Sequence, residues 1–219
     1  MHLFSGAFCI VYEKKLLHNK RIDQIYFGME LFMNLILYFI CSYFIGNILS
    51  AHILAKLLHK GQIHEMGSGN PGARNAGRVY GKKAFVFTFL GDALKGGIVV
   101  IIGRLLDFSD IEQLIGVTLA LIGHIKPILF KLKGGKGVST FIGGVITFEP
   151  LLVIPIILAF LVTYPFTKSF TISGLGSLCI LPIIIYYLHD SVSSMWMFII
   201  LTLVLISAHM NDLLARRKA

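Results

Sequence analysis

Residues 84–106 read AFVFTFLGDALKGGIVVIIGRLL, an apolar run interrupted only by Asp92, Lys95 and Arg104. At about 1.5 Å per residue such a run, coiled as a helix, covers the ~30 Å hydrocarbon core of a bilayer. Working outward, further apolar runs lie near 31–55, 111–129, 151–166, 171–188 and 194–210. Residues 137–148 form one more apolar piece, whose helical length of about 18 Å is too short to cross unaided. The composition agrees: 56% of the 219 residues are hydrophobic and 14% charged, against about 25% charged in soluble domains. Mean hydropathy is +0.79. The sequence therefore predicts an all-α integral membrane protein of about seven transmembrane helices, one of them short.

The formal net charge of +9 does not point to nucleic acid, because the cations flank apolar spans. Lys56, Lys60, Arg74, Arg78, Lys82 and Lys83 fall in the first long loop, and Lys126, Lys131, Lys133 and Lys136 in the second. Cation-rich loops stay on the cytoplasmic side. Counting 137–148 as a crossing places the Arg216, Arg217, Lys218 tail on that side too, with the N-terminus out and the C-terminus in. Residues 1–30 carry Lys14, Lys15, Lys20 and Arg21 among apolar residues and read either as an N-terminal extension of interfacial type or as a disordered or mis-assigned leader ahead of an internal start such as Met29 or Met33. The transmembrane domain is then 31–219. Cys9, Cys41 and Cys179 are widely spaced, and His64-Glu65 lacks a second histidine, so neither a disulfide framework nor a metal site is expected. His52 and His59 read as interfacial.

Two loops carry the chemistry. The first, Gly67-Ser68-Gly69-Asn70-Pro71-Gly72-Ala73-Arg74-Asn75-Ala76-Gly77-Arg78, combines turn-forming glycines with two arginines. Glycines let backbone N–H groups close on an anion, and guanidinium groups grip phosphate oxygens in pairs. In the second, Gly134, Gly135 and Gly137 surround Lys136 directly before an apolar helix, whose N-terminus favours an anion. Two such loops suit two phosphates. The chain contains no GxxxxGK[ST] spacing, which disfavours ATP hydrolysis. Asp92 and Lys95 stand at i and i+3 on one helix face, either a supporting ion pair or a ligand contact. His209, Asn211 and Asp212 close the last span; a histidine there can bind phosphate, accept a proton or cap the helix end.

Gly67-Ser68-Gly69-Asn70-x-Gly72-Ala73-x-Asn75-x-x-Arg78, His124-x-x-Pro127 and Phe130-x-x-x-Gly134-Gly135-Lys136-Gly137-Val138-x-Thr140 resemble motifs of the bacterial acyl-phosphate:glycerol-3-phosphate acyltransferases, the PlsY family. The likeness runs from about residue 35 to the C-terminus. It implies transfer of a fatty acyl group from acyl phosphate to the 1-hydroxyl of sn-glycerol 3-phosphate, at the bacterial cell membrane, without a cofactor. It also implies catalytic roles for Ser68, Arg78, Lys136, His209, Asn211 and Asp212. Phosphate binding would fall to Gly69, Asn70, Gly72, Asn75, His124, Gly134, Gly135, Gly137 and Thr171, with Asp92 and Lys95 in support. Two departures stand out. Arg74 replaces the family's usual threonine, and His209-Met210-Asn211-Asp212 replaces its His-Arg-x-Asn. Aligning on His209 puts Asp212 at the asparagine, whereas aligning on Asn211 leaves Ala208 at the histidine. The alternatives are a phosphate or organophosphate transporter, disfavoured by the lack of an inverted repeat, and an inactive diverged paralogue.

Overall fold

The computed structural model describes the backbone of residues 3–59 and 61–217 and the side chains of 24–26, 28–59, 61–210 and 214. The side chains of Asn211 and Asp212, and of all but a few of residues 1–30, lie outside that description. The chain divides into two compact units, Met1–Tyr38 and Phe39–Ala219. The first is the greater part of one helix, α1 (Leu3–Asn47). The second carries the end of α1 and then α2 (Ser50–Leu57), α3 (Ala73–Tyr80), α4 (Lys82–Leu105), α5 (Asp110–Ile125), α6 (Val138–Phe148), α7 (Val153–Thr167), α8 (Phe170–Leu178), α9 (Leu181–His189) and α10 (Val192–Arg217).

Among the described residues, six stretches are long and apolar enough to cross a membrane: Gln24–Asn47, Lys82–Leu105, Asp110–Phe130, Pro150–Thr167, Phe170–His189 and Val192–Met210. Five coincide with the expected spans, and α6 is the short piece. The segment expected as 31–55 differs. Its helix stops at Asn47 and restarts at Ser50, so α2 stands outside the spans. Gly46-Asn47 directly precede the break at Ile48-Leu49, and long-range polar contacts from α4 hold it, as described below.

Polarity is distributed as lipid requires, with apolar side chains outward and polar groups gathered inside. All of α7 lacks a buried residue, and Leu105, Phe166 and Tyr187 are fully outward, whereas Thr88, Asp92, Lys95, Gln113, His124 and Thr140 are buried. Between lipid-compatible helices the tight contacts come from small residues, which let backbones approach. A Cβ at Gly96 would overlap the Thr140 carbonyl, one at Gly143 the Ala93 carbonyl, and one at Gly123 the Tyr43 carbonyl. These positions lock α4 to α6 and α5 to the end of α1. At the opposite end of α5 from the candidate loops, His189 lies 3.1 Å from Asp110 and 3.2 Å from Glu149 and stacks on Phe148.

Candidate functional site

The helix break is held by one buried lysine. Lys95 Nζ donates to the carbonyls of Gly46 (3.0 Å) and Ile48 (2.7 Å), contacts His124 Nδ1 at 2.6 Å and pairs with Asp92 Oδ1 at 3.2 Å. Asp92 Oδ1 in turn accepts from Ser50 N at 3.3 Å. The cation therefore sits at the carboxyl end of α1 and the carboxylate at the amino end of α2, where each complements the local helix dipole. An ammonium can only donate, so His124 Nδ1 accepts from Lys95 and the ring hydrogen is on Nε2. His124, assigned to substrate phosphate from the sequence, is only 2% exposed.

The first loop folds around Asn75. This residue is 1% exposed; its Oδ1 accepts from Ser68 N at 2.8 Å and its Nδ2 donates to the Met66 carbonyl at 3.0 Å. Both ends of the amide are thus occupied by the loop's own backbone. Gly67 (φ +59°) and Gly69 (φ +72°) take the left-handed conformation that the turn demands. His64 Nδ1, in the 3-10 turn Ile63–Glu65, bonds the Gly69 carbonyl at 3.1 Å. Gly72 leads into α3. The charged and hydroxyl groups of the loop face outward: Ser68, Arg74 and Arg78 are exposed, and Asn70 is half-buried.

The second loop lies flat on the end of α5. Gly135 N donates to the His124 carbonyl at 3.0 Å, and a Cβ on Gly135 would strike the His124 ring. One on Gly134 would strike the His124 carbonyl, and one on Gly137 (φ +81°) would strike Leu121. Glycines in this pattern suit an anion-holding loop, and here their close approach is to α5. Lys136 is half-buried, and the first turn of α6 follows it. Upstream, Tyr43 Oη donates to the Lys126 carbonyl (2.8 Å) and Leu129 N donates to Asn47 Oδ1 (3.4 Å), tying the loop to the end of α1.

Between the loops stands a cluster of three tilted rings that spacing along the chain does not reveal. His52 on α2 has its ring centroid 4.6 Å from that of His64 and 4.4 Å from that of Phe130. Burial pushes the His52 imidazole down to about 4; His64 adds to the depression and Asp92 opposes it. His52 is therefore uncharged at neutral pH. Its position on the α2 restart could be found only once the break was known. Elsewhere, His209 is buried in α10 with Nδ1 2.9 Å from the Leu205 carbonyl of its own helix. Thr171 is half-buried in the first turn of α8.

The sequence profile of the family described as glycerol-3-phosphate acyltransferase matches residues 36–217. The chain belongs to the glycerol-3-phosphate acyltransferase family. Glycerol-3-phosphate acyltransferase 1 of Bacillus cereus is 49% identical over 170 residues, covering 77% of this chain and 93% of the relative. The glycerol-3-phosphate acyltransferase of Ruthia magnifica is 33% identical over 172 residues, 78% of this chain and 87% of the relative. Among solved structures, the glycerol 3-phosphate form of PlsY (YgiH), an integral membrane glycerol 3-phosphate acyltransferase, superposes with a TM-score of 0.74. It is 28% identical and covers 84% of this chain and 94% of that one. Its lysophosphatidic acid form gives 0.73 at the same identity. This acyltransferase is thus a multi-pass membrane protein.

Proposed function

We propose that the protein transfers a fatty acyl group from acyl phosphate to the 1-hydroxyl of sn-glycerol 3-phosphate, giving lysophosphatidic acid and inorganic phosphate. The family membership supports the reaction, as does the likeness to PlsY in forms with glycerol 3-phosphate and with lysophosphatidic acid. The observation that carries the site is the approach of the two cation-bearing loops, which share the His52 ring stack.

An acyl phosphate is already activated, so no acyl-enzyme is needed. The C1 oxygen attacks the acyl carbonyl carbon, the bond from that carbon to the phosphate oxygen breaks, and the hydroxyl proton passes to His209 or to a phosphate oxygen of the donor. The protein's task is to hold two anions side by side. Arg78 and Lys136 offset their repulsion and stabilise the charge growing on the leaving phosphate, helped by Ser68 and by N–H groups of the Gly69–Gly72 turn and the α6 start. In this reading Asn75 and His124 hold the two loops in shape, and Thr171, Asn211 and Asp212 complete the glycerol side.

Lysine and arginine placement supports a topology with both loops on the cytoplasmic face of the bacterial plasma membrane, seven crossings including α6, and residues 1–30 as an interfacial extension ahead of the 31–219 domain. The acyl chain lies in lipid between helices. The test uses purified protein in detergent with acyl phosphate and labelled glycerol 3-phosphate. Labelled lysophosphatidic acid is expected without any sealed vesicle. Vesicle-dependent uptake with no product would replace this reading with transport.

A further inference from the structure

His52 belongs to neither phosphate loop, yet it touches both. The ring of His64, whose Nδ1 fixes the Gly69 carbonyl at 3.1 Å, packs on one side of it at 4.6 Å. Phe130 packs at 4.4 Å. Phe130 lies inside the turn that begins the second loop, where Leu132 N bonds the Pro127 carbonyl (2.9 Å) and Lys133 N bonds the Phe130 carbonyl (3.0 Å). The platform beneath is firm, because Asp92 of α4 receives the amide of Ser50 two residues before His52. A Cβ on Gly91 would crowd the Ser50 side chain, so α2 and α4 are in close contact there as well.

We propose that His52 is a positioning residue that sets the spacing between the two anion-holding loops, acting as a neutral aromatic spacer and not as a base or a phosphate ligand. The proposal rests on the acyl-transfer reading above. Its physical content is that each loop keeps its own charges without His52 and still binds its anion, while the mutual placement needed for attack is lost. Misplacement of about 1 Å can lower a rate about a hundredfold. A defect of that kind falls on kcat and spares KM.

The experiment compares wild type, His52→Ala, His52→Phe and Phe130→Leu in the detergent assay and follows amide hydrogen exchange over residues 63–70 and 128–133. His52→Ala is expected to lower kcat about ten- to a hundredfold, with KM for glycerol 3-phosphate within about twofold, and to speed exchange in both segments. Phe130→Leu, which breaks the stack from the other side, should do the same. His52→Phe should recover most of the rate and the protection, since it keeps the ring and discards the nitrogens. A wild-type rate in His52→Ala overturns the proposal, as does a rise in KM with kcat intact. So does a folded His52→Phe that recovers nothing, which would make His52 act through its nitrogens. If wild type itself forms no product, the acyl-transfer reading fails, and the exchange pattern alone then decides the coupling: unchanged protection in 128–133 refutes it.

Discussion

Lys95 and Lys136 stand in similar words of sequence, each beside glycines and each close to a polar loop, yet the fold uses them in opposite ways. Lys95 is 4% exposed, and its ammonium is consumed by two carbonyls, His124 and Asp92. Lys136 is half-buried at the entrance to α6, with exposed Lys131, Lys133, Arg74 and Arg78 on the two loops. The glycines do not distinguish the two lysines, because those beside Lys95 and those beside Lys136 both serve close packing against a neighbouring helix. What separates them is whether carbonyls are waiting. A break in a helix exposes unsatisfied carbonyls, and a buried cation placed there becomes scaffold. Lys136 stands at the start of a helix, where the backbone offers N–H groups in place of carbonyls.

The sharpest way to break this contrast is to remove a loop cation. Arg78→Ala and Lys136→Ala are each expected to abolish turnover, a loss of at least about a hundredfold, with the thermal melt in detergent unchanged. A wild-type rate in either variant would remove that residue from the site. Lys95→Met should do the reverse in the first instance. It strands Asp92 in the interior and should destabilise the fold by about 3–5 kcal/mol, read as a lower melting temperature. Adding Asp92→Asn should return part of the loss, and no recovery would mean the pair is not what the fold depends on.

A smaller effect is expected within the first loop. Asn75→Ala removes the bonds to Ser68 N and the Met66 carbonyl and should cost about 1–3 kcal/mol. Faster amide exchange over 66–70 should accompany it, and unchanged exchange would show that the glycines alone hold the turn. The smallest effect is a pH slope. The folded His52 has its pKa lowered from 6.5 to about 4, so above 6.5 its neutral state carries no penalty. As pH falls from 6.5 toward 4 the unfolded chain takes up a proton that the folded chain refuses, and stability declines across that window. Melts of His52→Phe should be flatter there than those of wild type; equal slopes would place the titration elsewhere.

Much of this was legible in the sequence. Apolar runs of bilayer length gave five spans almost to the residue, because lipid imposes one length on every crossing. The motifs around Gly67 and Lys136 marked the family that the sequence profile matches over residues 36–217. The helix break at Ile48-Leu49 was only hinted at, by Gly46-Asn47 just before it; the side chains that hold it lie on α4, more than forty residues away. The burial of His124, the ring stack at His52 and the His189 contacts were hidden for the same reason. Each joins separate segments, and no spacing along the chain records it.

The brevity of α6 has a consequence for how a water-soluble reactant reaches a lipid. His189 bonds both Glu149, just past the end of α6, and Asp110, at the start of α5, so that end of α6 is level with the rim of the bundle. Eleven residues rise only about 16 Å, roughly half the ~30 Å hydrocarbon thickness. An α6 anchored at that rim cannot reach the far surface alone, so the polar turn at Lys136-Gly137 makes up the remaining distance. On the acyl-transfer reading, this brings the phosphate chemistry nearer to the acyl chains than a full-length helix would.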